Sequence, residues 1–141
     1  MNAPLYDTAI LRLAATIPHL GRLEQPQGTA ERRSPVCGSR VIADVTLDDE
    51  GRISSLGLEL SACALGQASA NLMASHAIGR TPEELADARD AVAAWLAGEQ
   101  GDPGDWPGLD QLARARPHTG RHAAIRLPFE AAAEAAERAR G

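Results

Sequence analysis

The chain has 141 residues, enough for one domain with its own core and too few for two. Its formal charge of −5 supplies no basic field for nucleic acid. All 14 basic residues are arginine, which excludes a lysine Schiff base, a Walker-type phosphate loop and a lysine general base. Aromatic residues make up only 3%, so the core must rest on Leu, Ile, Val and Ala. No stretch approaches the roughly 20 apolar residues of a membrane span. The start of the chain lacks a basic region followed by an apolar run, so no signal peptide is expected. The expected compartment is the cytoplasm, where thiols stay reduced.

Residues 5–17 carry Tyr6, Ile10, Leu13 and Ile17 at helical spacing. Residues 18–36 are rich in Gly, Pro, Gln and charge, and read as a loop with room for one short strand. Residues 40–47 alternate, with Val41, Ala43, Val45 and Leu47 on one face and Ile42, Asp44 and Thr46 on the other. Asp48-Asp49-Glu50-Gly51 supplies a turn, and Ile53–Leu60 returns as a second strand. The pair predicts a β-hairpin with Gly51 at positive φ. A helix is expected from just after Cys63 to about Ile78, stopped by Gly79.

Thr81-Pro82-Glu83-Glu84 is a helix start: a Thr cap, Pro at the first helical position, and Glu three residues after the cap. Leu85, Ala88, Val92 and Trp95 then form its apolar stripe. Gly98 to Gly108 reads as a loop, followed by a short helical turn over Leu109–Ala115. From His122 to about Arg138 the composition is helical, with Pro128 expected to kink or split the helix. The order predicts an α+β fold, a small antiparallel sheet of about three strands covered by helices, as one domain over residues 1–141.

Three soft ligands stand at element boundaries: Cys37, Cys63 and His122. Cys37 lies in Ser34-Pro35-Val36-Cys37-Gly38, just before a strand. Cys63 lies between a strand and a helix start, where free amides and the helix dipole favour thiolate, the form that binds metal or accepts sulfur. A lone cysteine is often only a small buried hydrophobe, and the two readings stand about level on spacing alone. His118 and His122 form His-x3-His, a zinc-compatible spacing weakened by Pro117 and Gly120, which keep His118 in the loop. His76 reads as a structural residue on a helix surface, and His19 as a loop residue. No nucleophile elbow or Gly-rich phosphate cradle is present, so an enzyme is not expected.

Several of these segments together resemble the iron–sulfur cluster assembly scaffolds of the IscU/SufU/NifU N-terminal type. Ser34-Pro35-Val36-Cys37-Gly38-Ser39, followed by the hairpin, is similar to that family's N-P-x-C-G-D segment. Cys63-Ala64-Leu65-Gly66-Gln67-Ala68-Ser69 resembles its second cysteine segment, and Gly79-Arg80-Thr81-Pro82-Glu83-Glu84-Leu85 its inter-helix turn. Arg116 to Ala124 occupies the place of the third. The resemblance spans roughly residues 5–137. It implies a compact α+β fold whose ligands gather at one end.

The resemblance further implies a scaffold that holds a nascent cluster, [2Fe–2S] above all, and receives sulfur from a cysteine desulfurase. Its alternatives are a zinc-bound sulfur acceptor that stimulates the desulfurase, with Cys37 taking the persulfide, and a metal-free interaction module. Implied partners are the desulfurase and apo iron–sulfur acceptor proteins, with no nucleic acid and no membrane. A monomer or a weak homodimer suits either metal-bound form. Cys37 and Cys63 match the first two cysteines. Ser39 stands in place of the aspartate and His122 in place of the third cysteine, leaving a Cys2His set with an unidentified fourth ligand. Imidazole and thiolate both suit zinc and iron–sulfur centres.

Overall fold

A computed structural model describes residues 7–35 and 38–141. Three strands, β1 (Gly28–Arg33), β2 (Arg40–Leu47) and β3 (Ile53–Ser61), form an antiparallel sheet in the order β1-β2-β3. Around it lie α1 (Thr8–Ala15), α2 (Ala64–Ser75), α3 (Pro82–Leu96) and α4 (His122–Ala139), with 3₁₀ segments at Leu109–Ala115 and Thr119–Arg121. The expected α+β fold with a three-stranded sheet is what the chain adopts.

The hairpin between β2 and β3 closes as its turn residues dictate. Asp48 Oδ1 accepts from the amides of Glu50 at 2.9 Å and Arg52 at 3.0 Å, and Gly51 takes φ +78°. Val41, Ala43 and Val45 sit across from Leu60, Leu58 and Leu56, forming the face on which α4 packs. Gly28 is required for that packing. A Cβ there would collide with the Ala135 carbonyl and stand 2.5 Å from the Ala139 nitrogen. Six buried alanines on α4, among them Ala131 and Ala135, keep the helix close to the sheet.

The opposite sheet face is covered as well. Residues 19–21 pair with the free edge of β3: Gly21 donates to the Leu58 carbonyl at 2.7 Å, and Leu58 donates to that of His19 at 3.0 Å. The chain then crosses Gly57, where a Cβ would stand 2.6 Å from the Gly21 carbonyl, and reaches Asp44 on β2. Asp44 is fully buried. Its carboxylate accepts from Arg22 at 2.7 and 3.1 Å, from the Thr29 hydroxyl at 2.6 Å and from the Leu23 amide at 3.0 Å. Burial pushes the carboxyl up, but the hydrogen bonds from Arg22, Thr29 and Leu23 outweigh it and hold Asp44 below the usual carboxylate range.

The helices follow their sequence signals with two differences. At α3 the Thr81 hydroxyl accepts from the Glu84 amide at 3.1 Å, and the Glu84 carboxylate accepts from the Thr81 amide at 3.0 Å, completing the capping box. Leu85, Ala88, Val92 and Trp95 are buried as the stripe requires. Helix α2 ends at Ser75, three residues before Ile78, because the following turn pairs with β3 instead. Gly79, at φ +90°, donates to the Ile53 carbonyl, and Ile53 donates to that of Arg80, each at 2.8 Å.

Pro128 does not split α4, contrary to one of the outcomes expected from sequence. Its missing N–H deprives only the Ala124 carbonyl, which lies against Gly66 of α2. The Ser69 hydroxyl of α2 donates to the next carbonyl, Ile125, at 2.6 Å. Trp106 anchors the long 97–121 connection: its indole N–H donates to the Leu72 carbonyl at 2.8 Å, and its ring meets Phe129 edge-on at 5.6 Å.

Candidate functional site

Strand ends and helix starts converge at one end of the molecule. Arg33, Arg40 and Ser61 lie abreast in the sheet, so the 34–39 loop and the approach to Cys63 leave it together. The loop continues the ladder by one pair: Ser34 donates to the Ser39 carbonyl and Gly38 to the Ser34 carbonyl, both at 2.9 Å. Gly38 takes φ +72°, a conformation that suits glycine. Cys37, with Val36, lies outside the described residues. Connectivity places it between Pro35 and Gly38.

Cys63 is the N-cap of α2, with extended backbone at φ −67° and ψ 170°. It is a free, half-buried thiol. Its side chain makes no capping hydrogen bond, while its carbonyl accepts the Gln67 amide at 2.9 Å. The thiol is therefore not consumed by the helix that it starts.

His122 is the first residue of α4 and is half buried. Its Nε2 stands 2.8 Å from the Arg116 carbonyl oxygen. A carbonyl can only accept, so Nε2 carries the hydrogen, and in the neutral ring the lone pair is then on Nδ1. Nδ1 has no hydrogen-bond partner among the described residues. This is the arrangement of a metal-ligating imidazole, oriented by a backbone carbonyl behind it. The two helix starts are neighbours: a Cβ on Gly66 would lie 3.3 Å from the Ala124 carbonyl and 2.9 Å from the Ala62 Cβ.

The other histidines stay apart from this pair. His118 is exposed and precedes the 3₁₀ turn, so it shares no helix face with His122. His76 caps the C-terminus of α2, and His19 sits in the segment that edges β3. Ser39 is buried, 3% exposed, in the closing pair of the loop. Among the described residues no group of three His, Cys, Asp or Glu gathers to hold a metal ion. A three-donor set with Cys63 and His122 requires Cys37.

A groove of about 440 Å³ opens beside the loop, lined by Arg33, Ser34, Pro35, Gly38, Ser39, Arg40 and Ser61. Glu31 ties its rim together, pairing with Arg40 at 2.6 Å and Arg33 at 2.8 Å. The hydrogen bonds from Arg40 and Arg33 hold the Glu31 carboxyl below its ordinary value. Sequence patterning overlooked Ser34. The signal was the two-residue period of β1, which carries Arg32 and then Ser34 onto the face that α4 covers.

Among solved structures, the chain is similar to a nitrogen-fixing NifU-like protein (N-terminal) from Brucella abortus. The two are 33% identical, with 96% of this chain and 94% of that one covered and a TM-score of 0.90. It shares the fold of a SufU-type protein from Fervidobacterium islandicum AW-1, described as an iron–sulfur cluster assembly scaffold for the SUF system. That match is 21% identical, covers 90% and 93% of the two chains and has a TM-score of 0.83. No protein-family model matches the chain, and no curated protein does. The chain belongs to the IscU/SufU/NifU N-terminal family. Among the described residues no helix is long and apolar enough to cross a membrane.

Proposed function

We propose that this chain is a scaffold on which an iron–sulfur cluster is assembled and from which it is passed to apo acceptor proteins. The observation that carries the reading is His122: its Nε2–H is tied to the Arg116 carbonyl, and its Nδ1, without a partner among the described residues, is the ring atom left to bind a metal at the helix start beside that of Cys63. Similarity to a NifU-like domain along nearly the whole chain supports it. In this reading Cys37, Cys63 and His122 hold the cargo. The sulfur comes from a cysteine desulfurase: the Cys37 thiolate attacks the sulfane sulfur of the donor persulfide, a new S–S bond forms, and the donor leaves as a thiolate. The protein is then a cytoplasmic carrier rather than an enzyme, a monomer or weak homodimer. With a neutral imidazole replacing a thiolate, the site is one charge less negative, which raises the potential of a bound cluster.

Anaerobic incubation with ferrous iron, cysteine and a desulfurase tests this. Visible thiolate-to-iron charge-transfer absorbance that disappears in Cys37→Ala and Cys63→Ala supports the scaffold. Its absence from the parent protein ends the proposal.

The Cys2His set also favours a second reading, a zinc-bound acceptor that stimulates the desulfurase. Metal analysis of protein purified without added metal separates the two. Stoichiometric zinc selects the acceptor, and metal-free protein counts against it.

A further inference from the structure

The two edges of the sheet are treated differently. The β3 edge is covered by residues 19–21, through the bonds between His19, Gly21 and Leu58. The β1 edge is open: β1 packs on β2 and α4, and among the described residues no strand lies beyond it. The Ser34 amide donates to the Ser39 carbonyl, in line with the β1-β2 register. Amides alternate in direction along an antiparallel strand, so those of Arg32 and Ala30 also face β2, and those of Thr29, Glu31 and Arg33 face away. The Thr29 carbonyl accepts from Arg138 at 2.7 Å, as only an outward group can. Glu31 and Arg33 are exposed, and their main-chain N–H and C=O groups have no partner among the described residues.

Charges on an open edge usually keep other strands away, and Glu31-Arg32-Arg33 can do so. Toward a second copy of the same strand they do the reverse. Antiparallel pairing about a two-fold axis at Arg32 sets Glu31 opposite Arg33 of the second copy, and Arg33 opposite its Glu31. Glu31 and Arg33 already pair along one strand at 2.8 Å, so the four side chains form a ring in which every neighbour has the opposite sign. A shift of register by two residues sets Glu31 against Glu31 or Arg33 against Arg33, which is unfavourable. On the other face Arg32 meets Arg32, each already paired with Glu134 at 3.4 Å and Glu130 at 3.8 Å. The ladder also ends without conflict: Thr29 faces Pro35, which has no N–H to offer a carbonyl that Arg138 has taken. Helix α4 packs about evenly on β1 and β2, so the two copies of α4 stand about 10 Å apart, an ordinary helix spacing.

We propose that the outer edge of β1 is a self-association surface, at which two copies of this chain join antiparallel about Arg32 and merge their three-stranded sheets into one. Each Glu31–Arg33 pair across the axis exchanges both of its main-chain hydrogen bonds. The contact is short and its ion pairs are exposed, so the dimer is weak and salt-sensitive. Arg33 also lines the groove beside the 34–39 loop, so the second copy borders the candidate site. The surface is independent of what that site carries.

Sedimentation velocity of the full chain from about 10 μM to about 1 mM tests it, with reductant and chelator present so that neither a disulfide nor a bridging metal joins the copies. A concentration-dependent dimer is expected. Glu31→Arg and Arg33→Glu should each weaken it about tenfold, and the double exchange should restore it because the ring alternates again. Register is read by mild air oxidation of Arg32→Cys in a Cys37→Ser/Cys63→Ser background. Residue 32 lies on the axis at a non-hydrogen-bonded position, where facing Cβ atoms come within about 5.5 Å, so a linked dimer forms. Arg33→Cys in the same background faces Glu31 and should link about tenfold more slowly. A chain that stays monomeric over the whole range overturns the proposal. So does a dimer that neither single exchange weakens, or equal linking by the two cysteines. No arm depends on cluster assembly, so failure of the scaffold reading is recognised separately.

Discussion

Replacing Asp44 by alanine removes the acceptor on which four hydrogen bonds converge. Arg22 is 43% exposed and can turn to water, so its loss of a partner matters little. The Leu23 amide and the Thr29 hydroxyl belong to half-buried residues and point at the buried carboxylate, and an unmet donor in such a place costs about 1–3 kcal/mol. Breaking a fully buried pair costs about 3–5 kcal/mol, and the exposure of Arg22 puts this case at the low end, about 3 kcal/mol. At about 3 °C per kcal/mol for a chain of this length, the midpoint of thermal unfolding falls by about 9 °C.

The sign of the pH effect follows from the depressed carboxyl of Asp44. Its contribution is complete above the ordinary carboxylate pKa and is lost as pH falls through the lower folded value. Asp44→Asn, which has no charge to lose, therefore has a flatter acid limb than the parent. Calorimetry or circular dichroism from neutral pH into acid measures both effects. A drop of less than about 2 °C in Asp44→Ala, with parallel acid limbs for the parent and Asp44→Asn, refutes the role assigned to this carboxylate.

Gly28→Ala drives a methyl into the backbone of α4 at Ala135 and Ala139, and should cost about 3 kcal/mol, read as a lower denaturant midpoint. Thr81→Ala removes one half of the capping box and should cost about 1 kcal/mol in the same measurement. His122→Ala should lower the yield of reconstituted cluster by about tenfold, whereas His122→Cys should keep it and shift the reduction potential downward, as followed by visible absorbance and voltammetry.

Much of this fold is legible because local signals and tertiary packing agree. The Asp48–Gly51 turn, the capping box at Thr81 and the stripe from Leu85 to Trp95 each state one structure, and each forms. Strand β1 is harder to see: Gly-Thr-Ala-Glu-Arg-Arg has one small apolar side chain, and its place is set by pairing with β2. Both faces of β2 are buried, although its alternation suggests one inner and one outer side, because residues 19–23 fold across Asp44. The continuity of α4 through Pro128 depends on Gly66 and Ser69, residues some sixty positions earlier in the chain. At the site, Cys63 and His122 stand at helix starts as their positions in sequence indicated. The bond from His122 to the Arg116 carbonyl depends on how the 97–121 connection settles against the start of α4. No local pattern announces it.

Helix α4 behaves as a rigid beam clamped at its far end. From His122 to Ala135 it spans about 20 Å, and near Ala135 the glycine of β1 admits it with no slack. Bulk added to its far buried alanines, from Ala131 to Ala136, would tilt the beam and displace its first turn. His122 and Arg126 would move with it relative to the strand ends. The bore of this fitting, set by small side chains, thus fixes the calibration of the opposite end. Drift at these alanines would alter ligand geometry before it unfolded the domain.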